Sequence, residues 1–278
     1  MTGPAGTAHL VLLYGGAAAR VASRGRTKDG VADATERPVF VVGSPRSGTS
    51  FMAGCLGELP GFVDLGEVGP LKASLRELAR LPEEEAARRL RRTLERVRRL
   101  GLARRLRAVE QTPETSFVLP AALRAYPEAK VVHMVRDGRD VVCSLLAKGW
   151  LREREGADDV GMPYGAYARS WVEPERVQEF ERASEARRAA WAWRRYLSAV
   201  RATAPGALEV RYEELAADPA ATAQRIATHI DAGVEPLSQA LRAMHAESVG
   251  RWHRDLTSEQ LADVEAEAGP LLRELGYA

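Results

Sequence analysis

The sequence predicts an α/β fold in which a parallel β-sheet is flanked by helices. Residues 38–59 and 129–148 share one order of features: a short apolar run rich in β-branched residues, a polar turn, and then a helix. A third apolar run at 207–212 is also followed by a helical pattern. A chain of 278 residues is long enough for one large domain of this class.

Composition and charge narrow the range of functions. The chain is 45% hydrophobic and 28% charged, as expected of a soluble globular protein, and its net charge of +2 argues against a general nucleic-acid binder. No apolar run approaches the length of a membrane span, and the first residues lack the basic start and apolar core of a signal peptide. No cluster of His and Cys suggests a metal site. We therefore expect a cytoplasmic enzyme with no metal and with neither a membrane nor a nucleic acid as partner.

Residues 1–37 are expected to form an N-terminal extension, partly irregular, ahead of a domain at 38–278. The apolar run at 9–14 fits either an extra strand or part of a helix. Residues 22–37 have the Gly, Ser, Thr and charged composition of a loop or linker. No chemistry is assigned to this stretch.

The turn after the first strand predicts a binding site for a phosphate-like oxyanion. A strand-to-helix turn leaves backbone N–H groups unpaired in front of the helix, where the helix dipole adds partial positive charge. Gly43 and Gly48 let the backbone approach a ligand, and Arg46 supplies a fork of N–H donors. Further donors are the hydroxyl groups of Ser47, Thr49 and Ser50. The alternative is a tight turn with an incidental arginine.

The spacing of this turn resembles the P-loop, G-x-x-x-x-G-K-[ST], with one difference. Gly43, Gly48 and Ser50 fit the pattern, but Thr49 stands where the lysine belongs. Nucleotide kinases use that lysine on the β- and γ-phosphates, and the nearest cation here is Arg46. The sequence thus predicts a single P-loop-like domain whose loop holds an anion other than the triphosphate of ATP.

Glu67 lies in a second predicted loop, at residues 66–70. The loop follows a short run at 62–65 that is predicted to be a strand. Ligands of open α/β sheets lie outside the carboxyl ends of the strands, so Glu67 is expected to face the same crevice as the anion loop. The alternative for Glu67 is an exposed loop carboxylate.

The turn after the strand at 129–135 repeats the arrangement of the first. Arg136 at the strand end and Ser144 on the first helical turns are placed to hold a second phosphate. Asp137 and Asp140 are expected to brace the arginines or cap the helix. Two such turns predict a ligand with two separated anionic groups.

Residues 71–108 and 149–180 each allow two interpretations. The first range is predicted to be helical with a break at Pro82, and its arginines form either a solvated face or a basic surface for an acidic acceptor. The second range is typical of a lid over an acceptor and equally of a surface insertion. Its aromatic residues include Trp150, Tyr164, Tyr167 and Trp171.

Two long helices are predicted in the C-terminal half. The helix at 182–203 carries Trp191 and Trp193 on different faces, so at most one of them lines a ligand. The last helix is predicted at 258–275, with Ser258 as its N-cap.

The two anion turns, together with Gly-Arg-Trp at 250–252, resemble the sulfotransferases that use 3′-phosphoadenosine-5′-phosphosulfate (PAPS). The pattern is most similar to the branch that contains the tyrosylprotein sulfotransferases and many bacterial sulfotransferases. The resemblance covers residues 38–277, and its strongest parts are PRSGTS at 45–50 and VRDGRD at 135–140 with Ser144. It implies PAPS as donor and 3′-phosphoadenosine-5′-phosphate (PAP) as product. It also implies that protein groups, and not a metal, supply the positive charge that stabilises the sulfuryl group and the leaving phosphate.

The resemblance also implies a set of nucleotide contacts. By position, residues 46–50 match the loop that grips the 5′-phosphosulfate, and Arg136 and Ser144 match the pair that holds the 3′-phosphate. Lys148, one helical turn beyond Ser144, fits a third basic contact. The matching residues around the rest of the nucleotide are Tyr212, Arg251 and Trp252.

For the reaction itself, the resemblance implies Glu67 as catalytic base and Arg46 as the cation at the sulfuryl group. Gln111 stands where the tyrosylprotein branch has a lysine that is thought to stabilise the transition state. Gly250 stands where that branch has a serine with a similar role. The sulfuryl oxygens would then depend more on Arg46, on loop amides and on Gln111 as a neutral donor.

We therefore expect transfer of a sulfuryl group from PAPS to a hydroxyl of a small-molecule acceptor, with a secondary metabolite as the expected compound. Its pocket is expected from residues 68–80 and from a helical acceptor-binding lid at 150–180, whose Trp and Tyr residues favour an aromatic or apolar-bodied molecule. The alternatives are sulfation of a peptide tyrosine, a P-loop kinase that uses ATP and Mg²⁺, and a nucleotide-binding module that has lost transfer activity.

Overall fold

A five-stranded, all-parallel β-sheet lies at the centre of the computed structural model, which describes residues 12, 15–20, 22–23, 36–100, 106–151 and 172–277. The strands are β1 (Val39–Gly43), β2 (Phe62–Asp64), β3 (Arg107–Glu110), β4 (Lys130–Val135) and β5 (Leu208–Arg211). They lie in the order β2-β3-β1-β4-β5, and each neighbouring pair is parallel. The predicted α/β fold is therefore confirmed.

Helices connect the strands, as parallel pairing requires. In chain order they are α1 (Thr49–Gly57), α2 (Gly69–Leu78), α3 (Glu83–Leu100), α4 (Leu119–Ala125), α5 (Gly138–Lys148), α6 (Val177–Arg182), α7 (Glu185–Thr203), α8 (Tyr212–Ala217), α9 (Pro219–Ile230), α10 (Val234–Leu241), α11 (Trp252–Asp255) and α12 (Ser258–Glu274). Short 3₁₀ helices lie at Pro113–Phe117 and Pro174–Arg176. Within the described ranges, each helix is too short or too polar to cross a membrane.

The chain changes direction at β1, and this change brings two predicted ligand turns together. After β1 the chain builds β2 and β3 on one side, and it then crosses to β4 and β5 on the other. Ligands of open α/β sheets bind at such a switch point, outside the carboxyl ends of the strands. In the paired strands β1 and β4, Gly43 lies opposite Met134. The turns that follow these strands therefore begin side by side.

Alternate residues of the strands enter opposite cores, as the period of a β-strand requires. In β1, Phe40 and Val42 belong to the core with α2, α3 and α4, whereas Val39 and Val41 belong to the core with α1, α9 and α10. A third cluster combines the end of β4 with α5, α7 and α12. Helices thus cover both faces of the sheet, and the polar loops gather at its carboxyl edge.

The predicted helical region at 71–108 is wrong at its end, where Arg107–Glu110 form β3. Its first part is two helices, α2 and α3, that are separated at Pro82 as predicted. Arg107 interrupts the apolar pattern of a buried strand, although it is itself fully buried. Its guanidinium donates to the carbonyl oxygens of Arg37 and Ile230, and burial lowers its pKa to about 10.

Two predictions for the C-terminal half also need correction or refinement. Thr257, and not Ser258, caps α12: its Oγ1 accepts the N–H of Gln260 at 3.2 Å, and the Gln260 side chain accepts the N–H of Thr257 at 2.9 Å. Trp191 and Trp193 are both fully buried, so neither has the exposed surface that a ligand contact needs.

Some sequence predictions fall outside the described residues. They concern most of 9–14, most of 22–37, and residues 152–171 of the expected lid, with Tyr164, Tyr167 and Trp171. Within the N-terminal stretch, residues 15–20 are helical, and Ala17 is buried in the core with α2, α3 and α4. These residues therefore pack on the domain that follows them.

Candidate active site

The loop between β1 and α1 presents its backbone to the carboxyl edge of the sheet. Arg46 and Gly48 both have left-handed backbones, with φ of +71° and +89°. Positive φ is uncommon for arginine, and such strained residues cluster at functional sites. α1 has no side-chain N-cap, so the N–H groups of its first turn are left for a ligand. The loop therefore has the backbone geometry of an oxyanion site.

Two buried polar atoms at this loop lack hydrogen-bond partners within the described part of the chain. They are Ser47 Oγ and Arg136 Nε. Leaving a buried polar group without a partner costs about 1–3 kcal/mol. Because hydroxyl and guanidinium groups both donate to phosphate oxygens, an anionic ligand would satisfy both atoms.

Arg136, directly after β4, connects the second turn to the first. Its Nη1 donates to the carbonyl oxygen of Arg46 at 3.0 Å, and its Nη2 donates to that of Ser248 at 2.6 Å. Arg46 Nε donates in turn to Oγ of Ser144, on α5, at 2.9 Å. Behind the turn, the buried Trp193 donates to the carbonyl oxygen of Arg136 at 3.0 Å. The structure thus brings Arg46, Arg136 and Ser144 together.

Tyr212, the first residue of α8, lies against both turns. The guanidinium carbon of Arg136 is 4.2 Å from the centre of its ring. A Cβ on Gly48 would lie 3.0 Å from Cδ2 of the same ring, so a larger residue would displace the tyrosine by a few tenths of an ångström, and the positive φ of Gly48 also favours glycine. The Tyr212 hydroxyl pairs with Oγ of Ser248 at 3.0 Å. Tyr212 therefore lies beside both anion turns, and its contact with the nucleotide stays a prediction.

Two aspartates of the second turn hold backbone segments in place: Asp137 caps its helix as expected from the sequence, whereas Asp140 binds a distant segment. Asp140 accepts the N–H of Gly250 at 2.8 Å and the N–H of Trp252 at 3.0 Å. Burial raises the pKa of Asp140, and these two hydrogen bonds oppose the rise. Asp137 caps α5 by accepting the N–H of Arg139 at 2.9 Å. Asp140 therefore attaches the segment at 250–252 to the second turn.

Arg251, Trp252 and Lys148 lie at the rim of this arrangement. Arg251 is paired with Asp255 at 2.7 Å, so a nucleotide would compete with that carboxylate for the guanidinium. The ring of Trp252 stacks on Arg139, whose guanidinium carbon is 3.9 Å from the ring centre. Lys148 is exposed at the last position of α5.

Glu67 lies at the carboxyl edge, in the loop between β2 and α2, as predicted. Its Oε2 accepts from Nζ of Lys72 at 2.5 Å. The side chain of Glu67 is 27% exposed and that of Lys72 only 5%. Two further carboxylates, Glu110 and Glu114, are buried close enough for the charge of Glu67 to raise their pKa values. Glu67 is thus part of a buried ionic cluster and not an isolated loop carboxylate.

Gln111 connects this region to the anion loop. It directly follows β3, and its Oε1 accepts from the hydroxyl of Ser50 at 3.1 Å. Thr49, beside Ser50, is buried at the start of α1. Arg46, Glu67 and Gln111 therefore belong to loops that follow three neighbouring strands, β1, β2 and β3.

Four residues of the site were missed by the sequence analysis: Lys72, Glu114, Trp193 in its supporting role, and Ser248. Lys72 offered a signal, because it is one of only four lysines in an Arg-rich chain and lies five positions after Glu67. The other three residues lie at the site because of tertiary packing. No spacing pattern in their local sequence predicts that position.

Comparisons with known proteins bear on both family and fold. A model of the sulfotransferase family matches residues 38–236, well over half of the chain. A search of curated protein sequences gives no significant match. A family model that matches this much of the chain shows membership of the family, even though no curated sequence matches significantly.

Solved structures share the fold at low sequence identity. A sulfotransferase domain from the curacin biosynthetic pathway has a TM-score of 0.55 and 13% identity, over 87% of this chain and 98% of that one. Mouse sulfotransferase SULT7A1, solved in complex with PAP, has a TM-score of 0.53 and 14% identity, over 89% and 90%. Sulfotransferase STF1 from Mycobacterium tuberculosis H37Rv has a TM-score of 0.50 and 19% identity, over 87% and 76%. With the family match and this shared fold, the chain belongs to the sulfotransferase family and is a sulfotransferase enzyme.

Proposed function

We propose that this sulfotransferase transfers a sulfuryl group from PAPS to a hydroxyl of a small-molecule acceptor. The proposal rests on the junction of the two anion turns, in which Arg136 donates to the Arg46 carbonyl at 3.0 Å and Arg46 donates to Ser144 at 2.9 Å. Two anion subsites side by side suit a donor with a 5′-phosphosulfate and a 3′-phosphate. ATP lacks the 3′-phosphate, and the buried Thr49 replaces the lysine that a kinase needs.

The residues present fit PAPS. The unpartnered Ser47 Oγ and Arg136 Nε are donors without acceptors, which the phosphate and sulfuryl oxygens would supply. In this proposal residues 46–50 hold the 5′-phosphosulfate, and Tyr212 lies against the nucleotide. The 3′-phosphate contacts are Arg136, Ser144 and Lys148, and the segment that closes over the nucleotide contains Arg251 and Trp252. When bound, PAPS supplies the sulfuryl group and leaves PAP as product.

Glu67 acts as the general base in this proposal. Its Oε2 is engaged by Lys72, so Oε1 takes the proton of the acceptor hydroxyl. The acceptor oxygen bonds to sulfur as the bond between sulfur and the 5′-phosphate oxygen breaks. The guanidinium of Arg46 and the N–H groups of α1 stabilise the negative charge that develops. Because these groups supply positive charge, the proposed step needs no metal.

Gln111 supplies a further donor. Its Oε1 is occupied by the Ser50 hydroxyl, which leaves its NH₂ group for the sulfuryl oxygens. A neutral amide replaces the lysine of the tyrosylprotein branch, and Gly250 provides no hydroxyl. These two differences favour a small acceptor over a peptide tyrosine.

A secondary metabolite is the acceptor class that we propose. One structural neighbour is a domain from the curacin biosynthetic pathway, which gives a precedent for this fold in natural-product biosynthesis. The acceptor pocket would form between residues 68–80 and the lid at 150–180. Of the lid, residues 150–151 and 172–180 are described, and the guanidinium carbon of Arg46 lies 5.8 Å from the centre of the Trp150 ring. This contact supports an aromatic wall beside the sulfuryl site.

We also propose that residues 38–278 form the catalytic domain and that residues 1–37 are an extension of it. The burial of Ala17 in the core with α2, α3 and α4 supports an extension that packs on the domain. A cytoplasmic location stays a prediction from the sequence.

Ligand-dependent thermal stability tests the proposal, with PAP in one arm and ATP plus Mg²⁺ in the other. A ligand at about a hundred times its dissociation constant stabilises the folded state by roughly 2.7 kcal/mol, which raises the melting temperature visibly. We expect a rise with PAP and no rise with ATP and Mg²⁺. Incubation with PAPS and a panel of phenols and alcohols should then yield sulfate esters. A rise with ATP alone would overturn the donor assignment.

A further inference from the structure

We propose that Lys72 is a positioning residue for Glu67: it holds the carboxylate through Oε2, so that Oε1 is available as the base. This inference rests on the proposed function for its chemical meaning. The contact itself, a 2.5 Å hydrogen bond between a nearly buried ammonium and a partly exposed carboxylate, is independent of it.

The location of Lys72 gives the contact a fixed geometry. Lys72 is on the first turn of α2, which begins at Gly69 directly after the loop that carries Glu67. Its backbone N–H donates to the carbonyl oxygen of Val68 at 2.9 Å, so the first turn of α2 is closed on that loop. The N–H of Val68 donates to Oγ1 of Thr112 at 3.2 Å, which attaches the same loop to the segment after β3. Both ends of the ion pair are therefore held by ordered backbone.

Two further carboxyl groups lie near Glu67 in the described part of the chain. Glu110, which directly precedes Gln111, is fully buried, and Glu114 in the first 3₁₀ helix is buried as well. Burial raises the pKa of Glu114; the charge of Lys72 opposes the rise and that of Glu67 adds to it. On the N-terminal side, Arg20 lies beside Gly66, with Nη1 3.8 Å from Oδ2 of Asp64. Lys72 thus places a positive charge in direct contact with Glu67, beside the two buried carboxyl groups.

A general base must be unprotonated at the working pH and must point at the proton it removes. An ammonium group at hydrogen-bond distance favours the ionised form of a carboxyl group, and the Lys72 ammonium lies 2.5 Å from Oε2 of Glu67. The same ammonium occupies one carboxylate oxygen and so limits the rotamers of the side chain. Lys72 would therefore act on the reaction through Glu67 without touching the acceptor or the donor.

The first measurement is a pH titration of ¹³C-labelled glutamate carboxyl groups by NMR, in the absence of donor and acceptor. The resonance that Glu67→Gln removes identifies Glu67. An opposite charge within about 4–6 Å lowers the midpoint of a carboxyl titration by 1–3 pH units. We expect Lys72→Met to raise the Glu67 midpoint by at least about one unit and Lys72→Arg to restore most of the difference. An unchanged midpoint in folded Lys72→Met would overturn the proposal.

Lys130→Met is the matched control, because it makes the same chemical change at the first residue of β4, at the opposite edge of the sheet. Removing one partner of a buried ion pair can destabilise a protein strongly. If Lys72→Met fails to fold, the double variant Lys72→Met with Glu114→Gln removes one positive and one negative charge together, and the Glu67 midpoint is measured there. The midpoint should be higher than in the single variant Glu114→Gln, since the two proteins differ only in Lys72.

Kinetics separate this inference from the proposed function. If both are right, the acidic limb of the kcat/KM profile moves to higher pH in Lys72→Met, by about the shift seen in the titration, and activity recovers at alkaline pH. The rise in melting temperature with PAP stays as in wild type. If the titration moves but the wild-type protein transfers no sulfuryl group, the ion-pair inference stands and the proposed function fails. If the wild type is active and neither the titration nor the acidic limb moves, Lys72 has only a structural role.

Discussion

The hydroxyl of Ser50 donates to Oε1 of Gln111 at 3.1 Å and so determines which group of the Gln111 amide faces a ligand. Ser50 belongs to the anion loop, while Gln111 follows β3. The amide NH₂ group is therefore the part of Gln111 that remains for a ligand. Gln111 stands where the tyrosylprotein sulfotransferases have a lysine. Its NH₂ group is therefore the donor whose contribution to catalysis can be tested.

We expect Gln111→Leu to lower kcat about a hundredfold, because one well-placed donor to developing charge contributes roughly 3 kcal/mol. The affinity for PAP, measured by calorimetry, should stay within about twofold. Gln224→Leu, an exposed position on α9, is the control and should have wild-type activity. If PAP binding falls as much as kcat does, Gln111 contacts the nucleotide and not the sulfuryl group.

Arg46→Ala should reduce turnover at least about a hundredfold in a sulfate-transfer assay. Its guanidinium is the cation of the anion loop, and it also pairs with Ser144 at 2.9 Å. We therefore expect weaker PAP binding as well. The exposed Arg242→Ala, after α10, serves as control. Turnover near that of wild type would remove Arg46 from the mechanism.

Glu67→Gln should also cut turnover at least about a hundredfold, since an amide cannot take the acceptor proton. The stabilisation by PAP should persist, because Glu67 lies on the loop after β2 and not on either anion turn. The exposed Glu235→Gln provides the comparison. Near-normal turnover of the Glu67 variant would show that another group is the base.

Asp140→Asn should weaken PAP binding about tenfold. The carboxylate accepts two backbone N–H groups, from Gly250 and Trp252, and an asparagine side chain offers only one oxygen. A hydrogen bond to a charged group contributes about 1.5–3 kcal/mol, part of which holds the segment with Arg251 in place. Isothermal calorimetry with PAP measures the change, with Asp263→Asn on α12 as control. Equal affinity in both variants would mean that this segment does not contact the nucleotide.

Glu110 should make stability depend on pH. Burial raises its pKa from 4.5 to about 7, so between these values the folded state holds a proton that the unfolded state releases. Its contribution is fully present below pH 4.5 and is lost as the pH rises to about 7, by about 3 kcal/mol. Urea unfolding should show Glu110→Gln gaining about that much stability relative to wild type over this range. A constant difference across the range would contradict the assignment.

The fold was predictable because its signals are local. The run at 129–135 gives strand β4 to within one residue, and the helix expected after the turn, near Val141, begins at Gly138. β3 was not predictable from the same signals. It has four residues, and its first is an arginine whose charge is satisfied by carbonyl oxygens of Arg37 and Ile230, far apart in the sequence.

In the candidate site, too, some residues were predictable from local signals and others were not. The strand-turn-helix spacing indicated Arg46, Arg136 and Ser144, and these residues do meet. Lys72 was not found from the sequence, because its importance depends on which buried carboxylates face it across the loops. Burial and tertiary distance set such electrostatic roles, and a single sequence reports neither.

Asp140 and Gly250 are 110 positions apart, yet their hydrogen bond joins two parts of one ligand site. A contact of this separation can form only after most of the chain has been synthesised, and closing so long a loop is slow compared with forming a helix. During translation residues 46–50 therefore leave the ribosome before the segment at 250–252, which Asp140 holds beside the second anion turn. A nucleotide that binds at both parts of the site therefore stabilises the chain that includes residue 252, and not a chain that ends before it.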